Sequence, residues 1–137
     1  MVVGAARGGS ALLAVLALVH LYWAAGATWP AADERGLSLA VLGSVVSFGP
    51  AVTLPLAVLE GVAGAGVYAY ARDPRRTVAR LVTVAFTAGL LLRGAVGVVW
   101  AAFGKDGSGA VFPWLNALVY TPLCLGLGLA VLRALRR

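Results

Sequence analysis

The sequence predicts an all-α integral membrane protein, a single transmembrane domain (1–137) built as a four-transmembrane-helix bundle with an extra short helix or re-entrant segment before the second span. Three observations carry this reading. Of 137 residues, 61% are hydrophobic and only 12% are charged, where a soluble domain carries roughly 25% charged residues. The uncharged runs between the charges are long, and a helix needs about 20 apolar residues to cross a hydrocarbon core of roughly 30 Å. The cations gather at the ends of those runs instead of spreading over a solvated face. A soluble globular protein is excluded. The net charge of +6 does not point to nucleic acid, because that binding needs Lys and Arg on a solvated surface.

The first uncharged run lies between Arg7 and Asp33, and residues 10–29 form the first span. A cleaved leader would have a plain apolar core, whereas His20, Tyr22 and Trp23 interrupt this one. The next run, from Gly36 to Ala71, carries Glu60 as its only charge and is too long for one ordinary span. Ser44, Ser47, Gly49 and Pro50 mark a break within it. Residues 37–48 are therefore expected as a short helix or re-entrant segment and 50–71 as the second span, with a tolerated kink at Pro55. Arg72, Asp73, Pro74, Arg75, Arg76 and Arg80 make a basic turn. Residues 81–103 follow as the third span, with Arg93 inside it. After a loop around Lys105 and Asp106, residues 113–132 form the fourth span, opened by Pro113 in its first turn.

Four spans place both termini on one side. That side collects eight cations, against Arg35 and Lys105 on the other, so the positive-inside rule predicts a multi-pass plasma-membrane protein with both termini cytoplasmic. Gly61, Gly64 and Ala65, Gly94 and Gly97, and Gly126 and Ala130 are small residues at helical spacing that allow close helix packing. The single cysteine, Cys124, permits no intrachain disulfide and no cysteine-based zinc site.

Topology accounts for every charge except Glu60 and Arg93. With the lone His20, these sit at depths where a charge costs roughly 2.5 to 3.5 kcal/mol on insertion scales. Counted from the outer ends of their spans, His20, Glu60, Arg93 and Tyr120 all lie roughly 10 to 15 Å deep at 1.5 Å per residue. Coincident depth in four helices predicts one shared polar site. Spacing adds Trp23 to His20, Gly97 and Trp100 to Arg93, and Asn116 and Cys124 to Tyr120, while Thr53, Ala57 and Gly64 leave room beside Glu60. One expectation is a structural Glu60–Arg93 ion pair, with His20 and Tyr120 hydrogen-bonded around it. The other is Glu60 without a close cation, a neutral acid able to give up a proton.

Trp29 and Trp114 lie near the boundaries and read as interfacial anchors. Trp23, Trp100 and Tyr120 are deeper. A dry pocket walled by these aromatic faces, with Tyr22 beside them and one carboxylic acid, suits a lipid-like olefin, since each face stabilises cationic carbon by about 0.5 to 2 kcal/mol. Other chemistries are poorly supplied. One histidine and one intramembrane carboxylate make no transition-metal site, no serine lies at the depth of His20 for a triad, and no Gly-rich phosphate loop follows a strand. No cofactor and no metal are expected.

His20-Leu21-Tyr22-Trp23-Ala24-Ala25-Gly26 with Trp29-Pro30, then Arg93-Gly94, then Tyr120-Thr121-Pro122-Leu123-Cys124-Leu125 resemble the motifs of a family of small four-span actinobacterial membrane proteins of unknown function, over most of the chain. A narrower resemblance, carried by Glu60, is to the bacterial membrane-bound terpene cyclases of drimentine-type pathways. There a membrane carboxylate is thought to protonate the terminal olefin of a farnesyl chain. The resemblance implies Glu60 as the general acid, with His20, Tyr120 or water taking the final proton.

The leading expectation is accordingly a membrane-embedded terpene cyclase acting on a farnesyl or other prenyl chain. Glu60 is its acid, Trp23, Trp100, Tyr120 and Tyr22 stabilise carbocations, and His20, Arg93 and Asn116 support the acid or a polar head group. The alternative is a non-enzymatic lipid-binding or assembly protein held by the Glu60–Arg93 pair. A third reading, a small proton-coupled transporter relaying through Glu60 and His20, requires a homo-oligomer to build two gates. The partners these readings imply are an isoprenoid or other lipid-like molecule, bilayer lipids and further copies of the chain, with no nucleic acid.

Overall fold

The computed structural model describes residues 2–104 and 111–136, with side chains from Gly4 onward. The loop expected around Lys105 and Asp106, and Arg137, lie outside the described residues. The described chain is all helical: α1 (Val2–Ala24), α2 (Glu34–Leu42), α3 (Pro50–Arg72), α4 (Thr77–Phe103) and α5 (Val111–Leu135), the last containing a π-helical stretch over Asn116–Tyr120. α1, α3, α4 and α5 are the four helices long and apolar enough to cross a membrane. They pack in chain order, α1 on α3, α3 on α4 and α4 on α5, and α5 closes the ring against α1. The termini and the basic turn between α3 and α4 therefore share one end of the bundle, and α2 sits at the other.

Each boundary has a local cause. α1 stops at Ala24, short of the expected Trp29, because Gly26 turns left-handed (φ +90°) and its N–H closes back on the Trp23 carbonyl. Asp33 caps α2 by accepting from Gly36 N at 2.7 Å. α2 stops at Leu42, well before residue 48, because Gly43 adopts φ +71° with its N–H on Leu39 O. A glycine is required there twice over, since a Cβ would also stand 2.6 Å from the Phe112 ring. The return arm to α3 is tied by side chains. Ser38 donates to Ser44 O and accepts from Val46 N, both at 2.6 Å, and Glu34 Oε1 accepts from Phe48 N at 2.6 Å. This capped helix and its return arm form the segment before the second span.

α3 opens on Pro50, whose missing N–H costs nothing in a first turn, and carries Pro55 through without ending. The basic turn is exposed, with Asp73 holding Arg76 at 3.5 Å across three residues. In α5 the Thr121 N–H reaches back five residues to Asn116 O, and Pro122 beside it has no N–H for an ordinary helical bond.

Only a narrow stripe of each helix is buried: Ala6, Leu13 and Ala17 on α1, Thr53, Ala57, Gly64 and Val67 on α3, Thr83, Thr87, Gly94 and Gly97 on α4, and Asn116, Thr121, Gly128 and Val131 on α5. Large apolar side chains such as Leu18, Leu59 and Leu92 point outward. The helices meet through small residues. A Cβ on Gly64 would press on Leu13 and the Ser10 backbone, one on Gly94 would collide with Leu125, and one on Gly97 with Thr121. Gly61 and Gly126, which share the small-residue pattern, face open space instead.

Candidate functional site

The intramembrane polar residues form two clusters, each spanning one helix pair. The first joins α1 to α3. His20 Nδ1 lies 2.9 Å from Glu60 Oε2 and 3.0 Å from the Leu16 carbonyl oxygen. A carbonyl only accepts, so Nδ1 carries the hydrogen and points it at both oxygens, and Nε2 is the nitrogen left to exchange a proton. Both side chains are largely shielded, 14% exposed for His20 and 17% for Glu60. Trp23, one turn on from His20, sets its indole edge-on to the imidazole at 5.2 Å and to Phe48 at 5.3 Å, and donates its N–H to Trp29 O at 3.0 Å. Leu37 of α2 packs into the same group, so α2 closes the cluster from the end of the bundle.

The second cluster joins α4 to α5. Asn116, fully buried, donates Nδ2 to Gly97 O at 2.9 Å, while its Oδ1 accepts from Arg93 Nη1 and from Thr121 Oγ1, each at 3.3 Å. The Arg93 guanidinium lies over the Tyr120 ring at 5.9 Å. Tyr120 donates its hydroxyl to Ala40 O of α2 at 3.3 Å, and Phe112 stacks between Tyr120 and Trp100, edge-on to the latter at 4.7 Å.

The expected single site at one depth is thus divided. Among the described residues no ion pair joins Glu60 to Arg93. Arg93 shares its face of α4 with Gly94 and Gly97, which look at α5, while Glu60 looks across α3 at α1. Trp23 goes with His20 and Glu60, whereas Trp100, Tyr120 and Asn116 go with Arg93. Tyr22 joins neither cluster; it is 48% exposed on the outer face of α1. His20 also lies only four residues from the end of α1, a shallower place than a span ending at Trp29 gives it.

Tyr22 belongs to a feature the sequence did not disclose. An apolar groove of about 350 Å³ runs along the outside of α1, lined by Val15, Leu18, Val19, Tyr22 and Trp23 and closed by Trp29 and Pro30 where the chain doubles back. The spacing 15, 18, 19 and 22 is one helical face, but in a helix that is apolar all round such a face is no signal. Trp23 both lines this groove and sets its ring against the His20 imidazole. It also walls a smaller cavity of about 80 Å³ under α2, which Glu34, Thr28 and Phe48 share. Among the described residues, His, Cys, Asp and Glu form no group of three or more that could hold a metal ion.

A family model described as "Protein of unknown function (DUF3995)" matches residues 13–131. The chain belongs to this family. The matched residues take in both clusters and the groove. No curated protein and no solved structure matches the chain.

Proposed function

We propose that this DUF3995 protein is a membrane-embedded terpene cyclase that takes a farnesyl or similar prenyl chain into the α1 groove and starts its cyclisation by protonating the terminal double bond. The single observation that carries the reading is the place of Trp23, with its indole on the apolar groove and its ring edge-to-face with His20, the residue that holds Glu60. Glu60, whose Oε2 is held by His20, stands behind the Trp23 ring and does not itself line the groove, so in this reading the olefin end passes that ring to reach the carboxyl group. Glu60 gives that proton to the olefin, the chain closes through carbocations, and a proton lost from carbon completes an isomer of the substrate. In this reading His20 Nε2 receives it. Tyr22, Trp23 and Trp29 supply aromatic faces along the groove, and lipid and α2 keep water from quenching the cation. Trp100 and Tyr120 lie in the other cluster and have no part in this step. The eight cations at the ends of the spans support an orientation in the plasma membrane with both termini cytoplasmic.

The test is to incubate the purified protein in liposomes with a farnesylated substrate. Cyclised product from wild type and at least about a hundredfold less from Glu60→Gln supports the reading, that being the size of a general-acid contribution. Equal product from both excludes Glu60 as the acid.

A second reading is favoured by one observation. The His20–Glu60 contact lies on α1 and α3, a pair held close by Gly64 against Leu13 and by the Ser10 hydroxyl on Gly64 O at 2.9 Å. The contact is then a structural tie in a non-enzymatic lipid-binding or assembly protein. In that case Glu60→Gln lowers stability, and no prenyl substrate is turned over by either form.

A further inference from the structure

Arg93 is not used by the proposed chemistry, and its surroundings leave it electrically incomplete. A guanidinium offers five N–H donors in a planar fork. Here one of them meets a neutral amide oxygen, Asn116 Oδ1, at 3.3 Å, and among the described residues no carboxylate lies within 4.0 Å of it. The neighbouring polar groups point their hydrogens elsewhere: Asn116 Nδ2 donates to Gly97 O, Thr121 Oγ1 to Asn116 Oδ1, and the Tyr120 hydroxyl to Ala40 O. The Tyr120 ring covers one face of the guanidinium.

The side chain also runs in an unusual direction. Helical side chains lean toward the N-terminus of their helix, whereas a Cβ on Gly97, one turn further on, would stand 3.1 Å from Arg93 Nη1. Arg93 therefore climbs toward the α2 end of the bundle, as long basic side chains do to reach head groups. The missing side chain at Gly97 leaves it the room. Arg93 is half-buried, and Leu92 and Val96 on its own helix and Val119 next to Tyr120 are exposed on the outer surface, so the seam that holds Arg93 borders the side a lipid would occupy.

We infer that Arg93, framed by Asn116, Gly97 and Tyr120 on the α4–α5 seam, binds the phosphoryl group of an anionic lipid in the leaflet at the α2 end. Phosphoryl oxygens supply the two parallel acceptors and the negative charge that the fork lacks, which a neutral or zwitterionic environment supplies less well. The site stands apart from the His20–Glu60 pair and does not rest on the cyclase reading.

The experiment places the full chain in nanodiscs of phosphatidylcholine, adds either phosphatidylglycerol or inorganic phosphate, and follows melting temperature and, by native mass spectrometry, bound lipid. The inference expects phosphatidylglycerol to raise the melting temperature and to be retained over phosphatidylcholine. That preference falls about tenfold in Arg93→Gln, the scale of a lost charged hydrogen bond, falls less in Arg93→Lys, and persists in Glu60→Gln. An equal effect of inorganic phosphate that is also lost in Arg93→Gln keeps the anion site and assigns its source to the aqueous phase. Should Arg93→Gln fail to fold, wild type against Arg93→Lys decides. The same preference in wild type and in every foldable Arg93 variant, or no preference in wild type, overturns the inference.

Discussion

At the scale of single residues, the chemistry turns on which partner each buried polar group finds. Nδ1 of His20 faces the Leu16 and Glu60 oxygens, which fixes its tautomer and pins one carboxylate oxygen. Groups in direct contact couple by about 0.5 to 3 kcal/mol and separated ones add independently. A double-mutant cycle on unfolding in detergent should therefore show coupling between His20→Phe and Glu60→Gln. The cycle of Glu60→Gln with Arg93→Met should give none beyond about 0.5 kcal/mol. Asn116 makes three polar contacts from a fully buried position. Replacing it with Leu leaves the Gly97 carbonyl and the Thr121 hydroxyl without their partner, and unfolding measurements should show a loss of about 2 to 4 kcal/mol. That His20, Glu60, Arg93 and Asn116 are polar groups within the long helices was legible in the sequence, because such groups are rare there. Their partners were not. Counting residues gives depth along a helix axis, but rotation about that axis is set by packing, and packing turned Glu60 toward α1 and Arg93 toward α5.

At the scale of elements, α2 and the π-helical stretch depend on a few backbone positions. Gly43→Ala would strain a left-handed residue and drive a Cβ into the Phe112 ring. The expected result is a loosened α2, read as faster amide hydrogen exchange over residues 34–48 with the four long helices still protected. The stretch Asn116–Tyr120 takes up one extra residue, so that Asn116 and Thr121, five apart, share one buried stripe. Deleting Val119 would restore an unbroken helix and turn Asn116 about 100° away from α4. The deletion should lose as much stability as Asn116→Leu. The ends of α2 were written plainly in Asp33 and Gly43, which are strong cap residues. The charges at 33–35 and the turn residues Ser44, Ser47, Gly49 and Pro50 point instead to a helix over 37–48, because they mark the limits of the apolar run and not the caps. The π stretch had a cue in Thr121-Pro122, but a proline there fits a kink as well as a bulge, and only the bonding of Thr121 to Asn116 separates the two.

At the scale of the whole molecule, the distribution of polarity inverts that of a soluble bundle. Thr53, Thr83, Thr87, Asn116 and Thr121 are buried, while Leu18, Leu59, Leu81 and Leu92 are exposed. Against a lipid solvent there is little hydrophobic gain in association, so close van der Waals contact at small residues holds the helices together. That argument separates two glycines of similar sequence context. Gly94→Val, which meets Leu125, should cost about 1 to 3 kcal/mol in detergent unfolding. Gly61→Val, which meets nothing within 4 Å, should stay within about 0.5 kcal/mol of wild type. The four-helix plan was legible because the lengths of uncharged runs and the places of the cations determine it. The groove was not, since its walls differ in no chemical respect from the lipid-facing surface around them. The central claim is that Glu60, held by His20 behind Trp23, delivers a proton to a prenyl chain in that groove. Its most direct test is the mass of the cyclised product formed in deuterium oxide by the protein in liposomes. The account predicts one deuteron incorporated per product molecule and no product from Glu60→Gln; a product without deuterium, or one formed equally by Glu60→Gln, would contradict it.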